Sequence, residues 1–351
     1  MRNPLGQLAA TVLAVGAGSL LALSLGACGA GSAQSAASPA LAPATQSALR
    51  HGADPLAGQA FYVAPNSPAA VEARRLQAQG DAHDAQLLGR IAAEPTATWF
   101  ADSSPQVQAR ASALLTAAAA QTPVIVAYDV PQRDCAGGYS AGGAPTPAAY
   151  GEWVARLAAG LGAHPAVVIL EPDAVPDALS GCLSPAAARA RLGLLSQAVG
   201  ILRRDPRAAV YIDAGNANWI KQPRRLADAL SGAGIARAAG FALNVANFQS
   251  TRASVAYGER LSHLLHGAHF VIDTGRNGNG PDTNPADAPG WCNPPGRALG
   301  RAPSTSTGEP RVDAYLWVKA PGESDGSCRP GAPPAGQWWP QYALQLAAAT
   351  P

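Results

Sequence analysis

Seven apolar runs set the terms for this chain: TATWFAD (96–102), PVIVAYDV (123–130), AVVILEPD (166–173), AVYIDAG (209–215), GFALNVAN (240–247), HFVIDTG (269–275) and DAYLWVKAPGE (313–323). None shows the polar alternation of a strand with one wet face, so both faces of each must be covered, as in a parallel sheet beneath helices. Ala/Leu/Arg segments at helical spacing separate the earlier runs, among them 106–121, 147–162 and 185–204. Strand and helix alternating over about 290 residues predict an α/β domain, either a parallel barrel or a doubly wound sheet.

Each run ends on polar residues. Asp102, Asp129, Asp173, Asp213, Asn244 with Asn247, Asp273, and Lys319 with Glu323 and Asp325 stand at or just past an apolar stretch. In a barrel those positions converge on one face, where barrel enzymes build their sites. A single Asp there is commonly a cap or turn residue, but the whole set makes a carboxylate-rich rim suited to a polar substrate. In AVVILEPDAVP (166–176), Pro172 ends the strand and is expected to keep Glu171 extended, while Asp173 projects from the mouth. A partly desolvated carboxyl group among other carboxylates has a raised pKa and can donate a proton near neutrality.

Residues 1–28 read as an export signal: Arg2, an apolar stretch from Leu8 to Leu25, then Leu25-Gly26-Ala27-Cys28, which is similar to a bacterial lipobox. Cys28 is therefore a candidate lipid-bearing residue. Residues 29–58 are largely Ala, Ser, Pro and Gly and are expected to form a disordered tether, with one globular domain over 59–351. The formal net charge is +2 and the basic residues are scattered, which argues against a nucleic-acid partner. If Cys28 carries lipid, Cys135, Cys182, Cys292 and Cys328 remain, and an exported protein can hold them as two disulfides. Neither CxxC nor His-x-x-x-His occurs, so neither motif argues for a metal.

VIVAYDVPQRDCAGGYSAGG (124–143) runs from a strand through Arg-Asp-Cys into a glycine-rich loop. With the Glu-Pro-Asp at 171–173 it resembles the two signatures of glycoside hydrolase family 6, the cellulases that include endoglucanases and cellobiohydrolases. FYVAPNS (61–67), TWF (98–100), DAGNANW (213–219), NVANF (244–248), DTGRNGNGP (273–281), WCNPPGRALG (291–300), LWVKAPGESDG (316–326) and GQWWPQYAL (336–344) follow the family's order, so the resemblance spans the globular region.

The resemblance implies a distorted, incomplete, TIM-like barrel of seven parallel strands and an inverting hydrolase of β-1,4-glucan that needs no cofactor. It makes Asp173 the general acid, with Asp134 close by helping to keep it protonated. Asp325 matches the residue usually nominated as base, the alternative being a water chain that involves Asp134. Tyr128 would crowd the sugar ring at the cleavage point, and Asp213 would have an auxiliary electrostatic or structural role. Trp99 and Trp219 match sugar-stacking positions, and Asn247, Lys319 and Glu323 would meet sugar hydroxyls. The implied disulfides are Cys135–Cys182 and Cys292–Cys328. Asn216 stands where many members have His, and NVANFQST lacks a tryptophan common after its Asn, which bears on subsite affinity more than on chemistry. The segments between the paired cysteines are too short for a large tunnel-forming insertion, which favours an endoglucanase over an exo-acting cellobiohydrolase. Retention of the three carboxylates weighs against a non-hydrolytic glucan-binding lipoprotein. A monomer is expected, secreted or held at the bacterial envelope through Cys28.

Overall fold

A computed structural model describes residues 54–283 and 289–350. The export signal, Cys28 and residues 29–53 of the tether lie outside the described residues. The seven strands are β1 (Thr98–Phe100), β2 (Val124–Ala127), β3 (Ala166–Leu170), β4 (Ala208–Asp213), β5 (Gly240–Leu243), β6 (His269–Asp273) and β7 (Val312–Leu316). Each pairs in parallel with the next in sequence, giving the order β1 to β7 without a crossover. β1 and β7 form no ladder, and one isolated parallel bridge between Thr96 and Trp317 joins the two edges. The sheet is thus the distorted, incomplete barrel that the family resemblance implied, and not the doubly wound alternative.

Both faces of the strands are buried, but by different partners. Val124, Val126, Val167, Ile169, Tyr211, Ala242, Val271, Ala314 and Leu316 fill the barrel interior. Their neighbours Ile125, Ala127, Val168, Leu170, Val210, Ile212, Phe241, Leu243, Phe270 and Ile272 pack in the second cluster with the helices. That two-residue period inside continuously apolar strands is the mark of a sheet covered on both sides. The helices at Pro147–Leu161 and Pro185–Leu202 start where Thr146 and Ser184 accept the amides of Ala149 and Ala187, with a proline in the first turn of each. No helix of the described residues is long and apolar enough to cross a membrane.

Two local expectations need correction. Leu56, placed in the tether by its composition, is 1% exposed and packs in the barrel interior cluster with Phe61. That burial, with the Asp54 carboxylate accepting the Leu56 amide at 2.7 Å, holds the end of the segment on the domain. Glu171, expected to be extended because it precedes Pro172, has φ 50°. Its buried carboxylate accepts the amides of Asp129 and Val130 at 3.0 Å, so tertiary hydrogen bonds override the local preference.

Candidate active site

The turn after β3 places Asp173. Its φ is 70°, a left-handed conformation uncommon for a non-glycine residue, and Asp213 at the end of β4 accepts its amide at 2.9 Å. Asp213 Oδ2 also accepts the amide of Gly215 at 3.1 Å, while its Oδ1 is buried without a partner. Burial pushes the Asp173 carboxyl well above its ordinary value, and the charges of Asp213, Asp177, Asp134 and Asp325 push the same way. Asp213 is pushed up to about 7, chiefly by burial. The Asp173 carboxyl itself accepts no hydrogen bond from the described residues.

Asp134 enters on the loop after β2. Its Oδ2 accepts the Ser140 amide and its Oδ1 lies so close to Gly137 that a Cβ there would stand 2.3 Å away, which only glycine avoids. Arg133 anchors the same loop, donating to the carbonyls of Ala101 at 2.6 Å and Ser140 at 2.9 Å and lying 4.7 Å over the Tyr128 ring. Burial and the charges of Asp173 and Asp134 raise the Tyr128 hydroxyl far above its ordinary value, so it stays protonated beside both carboxylates. The structure therefore brings Tyr128, Asp134, Asp173 and Asp213 together.

Asp325 stands on the loop after β7 and is tightly held. Arg276 donates to its two oxygens at 2.9 and 2.8 Å, and the Asn293 amide donates to Oδ2 at 2.9 Å. Arg276 is buried and packs 4.5 Å over the Phe248 ring. Three donors occupy most of the carboxylate's acceptor sites and leave room on Oδ1 for one more, such as a water.

On the same rim, Trp99 donates from Nε1 to the Val318 carbonyl at 2.8 Å and sets its ring edge-on to Tyr128 at 5.6 Å. Lys319 lies 5.4 Å over the Trp99 ring and 3.7 Å from Glu323, whose carboxyl is raised by burial. Trp219 and Asn247 sit on the loops after β4 and β5, half-buried, with the Asn247 Oδ1 turned to the Phe248 amide at 2.9 Å. No hydrogen bond or ring contact ties either of them to the carboxylates among the described residues.

Disulfides join Cys135 to Cys182 and Cys292 to Cys328, as the resemblance implied. One ties the loop beside Asp134, the other the loop beside Asp325. The two loops also touch, Tyr139 lying edge-on to Trp291 with ring centroids 5.7 Å apart. Among the described residues one His/Cys/Asp/Glu group is close enough to hold a metal, Cys135, Asp177 and Cys182, and its sulfurs are bonded to each other. Arg133, Arg276, Asn293 and Asp177 had not been picked out from the sequence. The motif text around Arg276 (DTGRNGNGP) and Asn293 (WCNPPG) marks their loops but not what they reach.

Residues 56–350 match Glycosyl hydrolases family 6. Endoglucanase 1 of Streptomyces halstedii is 40% identical over 306 residues, covering 84% of this chain and 91% of that protein. Endoglucanase A of Thermobispora bispora is 43% identical over 278 residues, 76% of this chain but 58% of its own longer one. Among solved structures, the endoglucanase Cel6 of Mycobacterium tuberculosis, in complex with methyl-cellobiosyl-4-deoxy-4-thio-β-D-cellobioside, superposes with a TM-score of 0.76. It is 44% identical, and the match covers 85% of this chain and 99% of that one.

Proposed function

The chain belongs to glycoside hydrolase family 6, and from that premise we propose that it is an inverting endo-β-1,4-glucanase with Asp173 as its general acid. The observation that carries the assignment is the contrast among the rim carboxylates. Asp213, Asp134 and Asp325 each accept protein hydrogen bonds, whereas Asp173 accepts none from the described residues and is raised by burial and by its neighbours. A carboxyl in that state keeps its proton near neutrality and can give it to a glycosidic oxygen.

Inversion requires a water on the opposite face of the sugar, with the two carboxyl groups of such enzymes about 6.5–9.5 Å apart. Asp325 supplies the base through its remaining Oδ1 acceptor site, or a water chain passing Asp134 relays the proton. Tyr128, protonated and wedged between Trp99 and Arg133, presses on the ring at the cleavage point. Trp99 and Trp219 offer flat faces to the apolar side of glucose units, and Asn247, Lys319 and Glu323 offer polar contacts to hydroxyls. The apolar stretch before Leu25-Gly26-Ala27-Cys28 supports export, with attachment to the envelope through lipid on Cys28.

Viscosity and reducing ends should be followed together while the protein digests carboxymethylcellulose, with Asp173→Ala as control. A fast fall in viscosity with few new ends, lost in the variant by about 10²-fold or more, is expected. Ends released without the fall would make the enzyme exo-acting. Glucan binding with no hydrolysis would remove the catalytic reading, and full activity of Asp173→Ala would remove Asp173 as the acid.

A further inference from the structure

Asp177 and Arg191 form a buried ion pair that lies between the two loops supplying Asp134 and Asp173. The helix Ala174–Ser180 begins directly after Asp173, and the Asp177 amide donates to the Asp173 carbonyl at 2.8 Å, so Asp177 is one turn from the acid on the same rigid segment. Its carboxylate is fully buried and accepts, through Oδ2, the amide of Cys135, the residue after Asp134, at 3.1 Å. Arg191, on the helix Pro185–Leu202 and 3% exposed, stands 3.6 Å from Asp177 Oδ2. Its Nη2 donates to the carbonyls of Pro131 and Gln132, both at 2.7 Å. Each end of the segment 131–135 is thereby tied to one member of the pair, and the disulfide to Cys182 ties it a third time.

Stability alone is a poor reason for this arrangement. Desolvating two charges usually costs as much as their attraction returns, and an apolar pair of similar volume commonly does as well. Asp177 Oδ1 is also left buried without a partner. What an apolar pair could not do is grip three backbone groups of one loop, the Cys135 amide from the segment that carries the acid and the Pro131 and Gln132 carbonyls from the helix paired with it. Resting on the reading of Asp173 as the acid, we propose that Asp177 and Arg191 are positioning residues for proton donation, holding the Asp134 loop and the Asp173 turn in one register.

The charges agree with the geometry. Asp173 faces Asp213 from β4, Asp177 from its own helix, Asp134 from the loop after β2, Asp325 from the loop after β7 and the Tyr128 hydroxyl from just past the end of β2. Asp177 faces Arg191 and Asp134, and Arg191 also lies within reach of Glu171 and Tyr128. Asp177 is therefore one of the anions that help Asp173 keep its proton.

Three variants test the proposal: Asp177→Asn, which keeps an acceptor for the Cys135 amide but removes the charge, Arg191→Met, and Arg191→Lys. Each is measured for kcat and KM on a soluble glucan across pH, beside Tm and thiol content to confirm a folded, disulfide-intact protein. Asp177→Asn is expected to move the alkaline limb of kcat/KM to lower pH, because Asp173 loses a neighbouring anion. Arg191→Met should lower kcat by about tenfold or more with KM changed less than about twofold, and Arg191→Lys should recover part of the loss. Folded variants with wild-type kcat and pH profile that differ only in Tm would overturn the proposal. So would failure of all three to fold, which would assign the pair to stability. An Asp173→Ala enzyme that stayed active would instead bring down the acid assignment beneath it.

Discussion

Glu171→Gln should make stability less sensitive to pH, by an amount that follows from the burial of Glu171. The side chain is fully enclosed between the ends of β2 and β3, and its pKa is pushed from the ordinary 4.5 up to about 7, burial outweighing the amides of Asp129 and Val130. Between pH about 4.5 and about 7 the unfolded chain has released this proton while the folded chain still holds it. Unfolding then releases a proton, so the contribution of Glu171 to stability is complete at low pH and is lost as pH rises through that window. The gap between the two values corresponds to about 3 kcal/mol at pH 8 relative to pH 4. Glutamine keeps an acceptor oxygen for the two amides and cannot ionise, while its new N–H donors add a cost that does not vary with pH. Urea unfolding with the disulfides intact, at several pH values from 4 to 8, should therefore show the variant gaining about 3 kcal/mol on the wild type as pH rises. Asp129, Asp177 and Asp213 are also raised, but they are common to both proteins and largely cancel in the difference. A stability difference that stays constant across the range would refute the argument that Glu171 is neutral in the folded protein at mildly acidic pH.

Removing the disulfide by Cys135→Ser with Cys182→Ser opens a crosslink across 47 positions, expected to cost about 4 kcal/mol by loop entropy and to lower kcat as the Asp134 loop loosens; unchanged denaturant midpoint and kcat would contradict this. Gly326→Ala places a Cβ 2.7 Å from that of Tyr139 at a φ of 135°, so a loss of about 1–3 kcal/mol in urea unfolding is expected, partly recovered by adding Tyr139→Gly; no loss would mean the two loops do not meet as described. Trp219→Ala should weaken glucan binding by about 1 kcal/mol, a roughly fivefold rise in KM on cello-oligosaccharides, and an unchanged KM would remove Trp219 from the substrate path.

The covered parallel sheet was legible because its strands are apolar runs that stop abruptly at polar residues, and the stops themselves marked the rim, whereas the choice of a barrel over a doubly wound sheet came from the family resemblance. Asp173 and Asp213 could be read as mouth residues from that pattern alone, since β3 and β4 end at Leu170 and Asp213. What the pattern could not carry was the set of cations that holds the rim in place. Arg276 and Asp325 are 49 positions apart, and Arg191 reaches Pro131 across 60, so no local periodicity links them. Glu171 shows the opposite failure. A sound local rule, that a residue before proline stays extended, yielded to two backbone amides that are close only once β2 and β3 have paired.

The same limit explains why residue type could not tell the acid from its neighbours. Asp134, Asp173, Asp213, Asp273 and Asp325 are all aspartates on one rim, and any of them reads from sequence as a candidate donor. Hydrogen-bond donors distinguish them. Asp273 accepts three amides, from Ala246, Gly275 and Lys319, and Asp325 accepts Arg276 and Asn293. Asp213 accepts two amides, one of them from Asp173 itself, so the donor that steadies Asp213 also fixes the backbone of the acid. The Asp173 carboxyl is left with burial and surrounding anions, both of which favour the proton. A rim that supplies hydrogen-bond donors to Asp134, Asp213, Asp273 and Asp325 and withholds them from Asp173 leaves one carboxyl of five free to meet a glycosidic oxygen, and that difference among chemically identical side chains is a property of the backbone and cations around them.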